Sequence, residues 1–111
     1  VIASSNGGST WSSWTKIPYS SNTLTFESGP ALVTTPNGQL TAFSTWEESY
    51  NVGVVLGETS TDNGATWSQE VVLPPNVGFE PPAATSAANG NIQVIGRGTD
   101  AAYYLNPYRG P

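Results

Sequence analysis

The sequence predicts an all-β chain made of two copies of one four-stranded unit. Three observations carry the prediction: the composition, a recurring motif, and short β-rich runs divided by turn residues. With 111 residues and 11.6 kDa, there is material for one small core and not for two independent ones. Ser and Thr together number 26, Gly 12 and Pro 9, against 3 Lys plus Arg. Such a chain lacks both the residues that form helices and the charge pairs that support them. Only 10% of residues are charged and 11% are aromatic, the reverse of the balance that keeps chains disordered.

The repeat is direct. Ser4-Ser5-Asn6-Gly7-Gly8-Ser9-Thr10-Trp11-Ser12 aligns without a gap on Ser60-Thr61-Asp62-Asn63-Gly64-Ala65-Thr66-Trp67-Ser68. The offset is 56 residues, and the path from the second window through the termini back to the first is 55. The repeat is thus expected to be circularly continuous and cut in mid-unit. Small slips keep the rest in phase: Ile17-Pro18 with Leu73-Pro74, Phe26-Glu27 with Phe79-Glu80, Pro30-Ala31 with Pro82-Ala83, and Pro36-Asn37-Gly38-Gln39-Leu40 with Ala88-Asn89-Gly90-Asn91-Ile92.

Within one unit, residues 31–35 read as a strand, Pro36-Asn37-Gly38 as a hairpin turn with Asn-Gly at its tip, and residues 39–45 as the returning strand. A looser connection with Glu47, Glu48, Ser49 and Tyr50 follows, then a third strand over 53–58. The motif at Ser60 to Trp67 makes a second hairpin, and residues 68–73 form the fourth strand. The second unit supplies strands over 83–86, 91–95 and 101–105, and its fourth is expected from Trp11 to Ile17. Four antiparallel strands per unit describe a propeller blade. The expected division is a first complete blade over about 26–74 and a second over about 79–105, closed by the strand over 11–17. Two blades close no ring, so self-association is expected, with a trimer (six blades) favoured over a tetramer (eight).

Ser60, Asp62, Gly64, Thr66 and Trp67, as Ser-x-Asp-x-Gly-x-Thr-Trp, closely resemble the Asp-box of sialidase-like (BNR-repeat) β-propellers. In the first copy Asn6 stands for the aspartate, keeping the acceptor and losing the charge. A looser resemblance, over Gly96 to Tyr104 together with Trp11-Ser12-Ser13-Trp14, is to the bacterial fucose-binding propeller lectins, the bangle lectins. Asp-boxes generally lie at the blade periphery, so the first resemblance implies a structural role for Asp62 and Trp67. Turn chemistry agrees: the carboxylate accepts backbone N–H groups, Gly64 takes positive φ and the indole covers the turn. One carboxylate per hairpin supplies too few oxygen ligands for Ca²⁺.

Chemistry is narrowed further by what is missing. With no Cys and no His, the chain builds no thiolate or imidazole metal site, no Ser-His-Asp triad and no Cys-His pair, and no cofactor is expected. A net charge of −5 repels phosphate backbones and anionic membranes, and no apolar run approaches a membrane span, so neither is an expected partner. The lack of Met reads as a processed or trimmed chain, and the Ser/Thr/Gly-rich, weakly charged surface as a secreted one. Sialidases use an arginine cluster, a Tyr/Glu nucleophile pair and an acidic acid/base. Arg97 and Arg109 are the only arginines here, so that catalysis does not carry over. The adjacent Glu47-Glu48 would face opposite ways on a strand, which points to a solvated loop rather than a glycosidase pair. The chain is therefore expected not to be an enzyme, the alternatives being a fragment or designed unit of a glycoside hydrolase propeller, or a ligand-free scaffold.

Sugar binding asks for less: an aromatic face for the pyranose and a few planar polar groups reading hydroxyls. Candidate rings outside the motif are Trp14, Trp46, Tyr50, Tyr103, Tyr104 and Tyr108. The expected carbohydrate site combines Trp46 and Glu47 of one unit with Arg97, Asp100 and Tyr104 of the next, in a lectin-like protein that binds glycans. Trp46 leads because it follows the second expected strand, beside a polar loop. Arg97, between Gly96 and Gly98, is open to a structural pairing with Asp100 instead.

Overall fold

The computed structural model describes residues 1–17, 25–26, 29–49, 52–77, 81–98 and 103–108. They form eight strands and, among the described residues, no helix. The first antiparallel sheet contains β1 (Thr25–Phe26), β2 (Ala31–Thr34), β3 (Leu40–Ser49), β4 (Val52–Ser60) and β5 (Val71–Val77). β1 and β2 share one edge of β3, while β4 and then β5 follow on the other, so five segments fill four strand positions. The second sheet is β6 (Ala83–Ser86), β7 (Ile92–Arg97) and β8 (Tyr103–Tyr108), in that order. The all-β expectation holds, and within the one chain the described sheets close into no barrel or ring.

Strand alternation decides what lies between the sheets. Val33, Phe43, Val55 and Leu73 point inward from β2, β3, β4 and β5, against Ile92, Val94 and Tyr108 from β7 and β8. Each such burial contributes about 1.5–3 kcal/mol. The Phe43 and Tyr108 rings meet edge to face, centroids 5.0 Å apart at 90°. Gly57 of β4 lies beneath both: a Cβ there would stand 3.0 Å from Phe43 and 3.1 Å from Tyr108. Only a missing side chain lets the rings approach the strand this closely. The Tyr108 hydroxyl is buried beside Thr59 without meeting hydrogen-bond geometry to any group among the described residues. Burial raises the phenol's pKa, Thr59 partly offsets the rise, and the charge of Glu58 adds to it.

The internal repeat is visible in the backbone. Ala31 pairs with Phe43 and Thr34 with Leu40; fifty-two residues on, Ala83 pairs with Ile95 and Ser86 with Ile92. The turns between them match as well: Thr35 N–H donates to Gln39 O at 2.9 Å and Ala87 N–H to Asn91 O at 2.8 Å. Gly38 and Gly90 take φ of 85° and 87°, the left-handed geometry that Asn-Gly turns require.

Three expectations shift. β3 runs on to Ser49, so Glu47 and Glu48 belong to a strand and not to a loop, and Trp46 lies inside the strand. Pairing of Trp46 with Val54 and Glu47 with Gly53 carries the ladder past the point where polar residues suggested a stop. The fourth strand begins at Val71 rather than Ser68 and continues through Pro74 and Pro75, which an edge position tolerates because its outer N–H groups need no partner. Residues 11–17 carry no strand in the single chain. Ser12 N–H donates to Ala3 O at 2.8 Å and Thr15 N–H to Val1 O at 2.7 Å, making an N-terminal arm of residues 1–15. Among the described residues the second sheet has three strands.

Candidate functional site

Two groups of residues are candidates for a site: the Ser-x-Asp hairpins and the ring-and-charge set around Trp46. The hairpin between β4 and β5 is closed by its own side chains. Ser60 hydroxyl donates to Asp62 Oδ1 at 2.8 Å and accepts from Gly64 N–H at 2.9 Å. Thr66 N–H donates to Asp62 Oδ1 at 2.8 Å, and the Thr66 hydroxyl donates to Asp62 Oδ2. Trp67 Nε1 donates to Gly64 O at 3.1 Å. Asn63 and Gly64 take φ of 58° and 87°, so the turn needs residues that tolerate the left-handed region. The Thr66 hydroxyl and N–H and the Ser60 hydroxyl hold the Asp62 carboxyl down to about 2. Every acceptor bond described for Asp62 is spent inside the turn, which gives it a structural task. Among the described residues no cluster of His, Cys, Asp or Glu is arranged to hold a metal ion.

The other group sits at the opposite end of the strands. The Asn-Gly turns of β2–β3 and β6–β7 line a common cleft of about 300 Å³, including Asn37, Gln39 and Asn89. The β3–β4 and β7–β8 connections follow from the opposite ends of these strands. Trp46 approaches that end on β3, half-buried, with Nε1 donating to Ser44 Oγ at 2.6 Å. This bond lays the indole back along its own strand, two residues away on the same face. Glu47 is opposite Gly53, Arg97 ends β7 opposite Tyr103, and Tyr104 is opposite Gly96. Arg97 is exposed. Of Glu47 and Tyr104 the strand positions are described, and Asp100 and Tyr50 lie outside the described residues.

Among the other candidate rings, Trp14 and Tyr103 are 79% and 71% exposed. Tyr108 is a core residue, 6% exposed against Phe43, and is removed from the list of stacking platforms. One group escaped sequence reasoning. Glu58 of β4 is buried, and burial first, then the Glu70 charge, raises its carboxyl from 4.5 to about 7. Its only sequence signal is its place two residues from Leu56 on the same face of the strand. A larger cleft of about 400 Å³ separates the N-terminal arm from the Asp62 turn, lined by Val1, Trp11, Thr15, Asp62 and Asn63 among others. Neither a scan against protein-family models nor a search of curated proteins finds a match to the chain.

Proposed function

We propose that the protein is a secreted, lectin-like glycan binder whose two units are propeller blades, closed into a ring by self-association of three copies. The observation that carries the reading is that Trp46 on β3 and Arg97 on β7 both lie toward the strand ends opposite the Asn-Gly turns and the Ser60 to Trp67 hairpin. β3 carries an indole and a carboxylate (Trp46, Glu47), and β7 and β8 carry a guanidinium and a phenol (Arg97, Tyr104). An aromatic face with planar polar groups is the minimum a pyranose needs. In the ring, residues 11–17 of one copy supply the fourth strand to β8 of another.

Each shallow site is expected to bind a single sugar weakly, on the order of millimolar to micromolar, with clustered sites raising the apparent affinity for dense glycans. Binding to immobilised glycoprotein tests this with wild-type protein, Trp46→Ala and Arg97→Ala. The two variants are expected to lose binding while retaining the wild-type mass in solution. Retention of full binding by both would move the site elsewhere.

A further inference from the structure

Asparagine followed by glycine is the dipeptide most prone to lose its side-chain amide, because the glycine nitrogen, with no Cβ beside it, is free to turn and attack the asparagine Cγ. The chain holds four such pairs: Asn6-Gly7, Asn37-Gly38, Asn63-Gly64 and Asn89-Gly90. All four asparagines are exposed, so access to water does not separate them. The attacking nitrogen does.

In three pairs that N–H is engaged. Gly38 N–H donates to Thr35 O and Gly90 N–H to Ala87 O, both at 2.9 Å, and the N–H of the buried Gly64 donates to the Ser60 hydroxyl at 2.9 Å. The nitrogen must shed its proton to attack, and each of these bonds opposes both that loss and the rotation toward Cγ. Gly7 differs. Its N–H meets no acceptor among the described residues, and nothing lies within 4 Å of where a Cβ would stand.

The Asn6 amide is held ready from its own side. Its Oδ1 accepts from the Ser4 hydroxyl and from Thr10 N–H, both at 2.9 Å, and its Nδ2 donates to Thr10 Oγ1 at 2.8 Å. Two donors on the carbonyl oxygen polarise Cγ and stabilise the oxyanion that attack creates. Asn37 Oδ1 also takes two donors, the Thr35 hydroxyl and Gln39 N–H, but its glycine is tied. Among the described bonds, only Asn6-Gly7 combines a doubly bonded amide oxygen with an unengaged nitrogen.

From this we infer that the first hairpin is a self-modification site, at which Asn6 of the folded chain converts to aspartate. Gly7 N gives its proton to a solvent base and bonds to Cγ; the Cγ–Nδ2 bond breaks and ammonia leaves with a proton from solvent, closing a cyclic imide. Water then adds to Cγ, the bond from Cγ to Gly7 N breaks, and Gly7 N recovers its proton. The sum consumes water, releases ammonia, and oxidises or reduces nothing. Water has a choice of carbonyls. Attack at the backbone carbonyl gives the isoaspartyl linkage that predominates in unstructured chains, whereas the donors at Oδ1 direct water to Cγ, where the normal linkage results.

The second hairpin shows how the product is seated. There Asp62 accepts from the Ser60 hydroxyl, Thr66 N–H and the Thr66 hydroxyl. For an aspartate at position 6, turning the Thr10 hydroxyl from acceptor to donor reproduces that set. An isoaspartyl link adds a carbon to the backbone and draws the oxygen off its donors. Conversion makes the two hairpins alike at their central acceptor and takes the net charge one unit below −5. It does not depend on the glycan or ring reading.

Ageing the intact chain at mildly alkaline pH, followed by peptide mapping and an isoaspartate-specific assay, tests this against the same chain in concentrated urea. In the fold, Asn6 is expected to convert ahead of the other three asparagines and chiefly to the normal linkage; in urea all four should convert, chiefly to isoaspartate. Ser4→Ala removes one donor from an exposed hairpin and is expected to slow conversion of Asn6 several-fold and raise its isoaspartate share, with the other three unchanged. The aged protein should coelute with Asn6→Asp on ion exchange. Asn6 that outlasts the other three in the fold, or that yields chiefly isoaspartate, overturns the inference, as does a Ser4→Ala variant that converts at the wild-type rate to the wild-type products.

Discussion

The two Ser-x-Asp/Asn hairpins carry the same internal bonds in different surroundings. Ser4 hydroxyl donates to Asn6 Oδ1 at 2.9 Å as Ser60 donates to Asp62 at 2.8 Å. Thr10 N–H reaches Asn6 Oδ1 at 2.9 Å as Thr66 N–H reaches Asp62 at 2.8 Å. Gly8 N–H reaches the Ser4 hydroxyl at 2.8 Å, and Gly64 N–H reaches Ser60 at 2.9 Å. Ser60 is 1% exposed and Trp67 half-buried in the sheet-bound copy, whereas Trp11 is 59% exposed in the arm. The hydrogen-bond ring is therefore a local property of nine residues, set by side chains that reach backbone groups two and four positions on. Burial is what the sheet adds.

That comparison orders the effects of substitution. Trp67→Ala is expected to cost about 2–3 kcal/mol, somewhat below the usual loss for a fully buried ring. Trp11→Ala in dilute, single-copy protein should cost under about 0.5 kcal/mol; denaturant titration measures both. Equal losses would mean that the arm is as tightly packed as the sheet. Gly57→Ala, which drives a methyl into the Phe43 and Tyr108 rings, should cost roughly 1–3 kcal/mol. Ser60→Ala strands buried N–H groups and should cost about 1–3 kcal/mol, while Ser4→Ala, whose hairpin is open to water, should cost less.

The carboxyls respond to pH in opposite senses. Asp62 is held below its ordinary 3.8, at about 2, so its stabilisation is complete above 3.8 and disappears as pH falls through about 2. Asn6 gives its hairpin no such dependence. Glu58 is raised from 4.5 to about 7, so its contribution is complete below 4.5 and is lost as pH rises through 7. Glu58→Gln is expected to raise the melting temperature at pH 8 and to flatten its slope between 4.5 and 7; an unchanged slope would show that the carboxyl is solvated in the folded state.

Local chemistry was legible in the sequence where the turn does the work. Asn37-Gly38 and Asn89-Gly90 announced their hairpins, and the Ser60 to Trp67 motif announced a closed turn, because short-range bonds determine both. Long-range pairing was not legible. Glu47 and Glu48 looked like loop residues until β4 was alongside to extend β3, and Pro74-Pro75 looked like a stop until β5 lay at an edge. Tyr108 is open in the sequence to packing between units or to sugar stacking, and its edge-to-face contact with Phe43 assigns it to the core. Of the sugar-site set, Trp46 reads in the sequence as one step beyond its strand, and its bond to Ser44 has no signature beyond two-residue spacing.

The most direct test of the glycan-binding account is an array of diverse, densely displayed glycans probed with the intact wild-type protein. The account predicts strong signals on a restricted set of related glycans, abolished by competing free sugar only at millimolar concentration. Silence across the array, from protein shown to be folded, would contradict it.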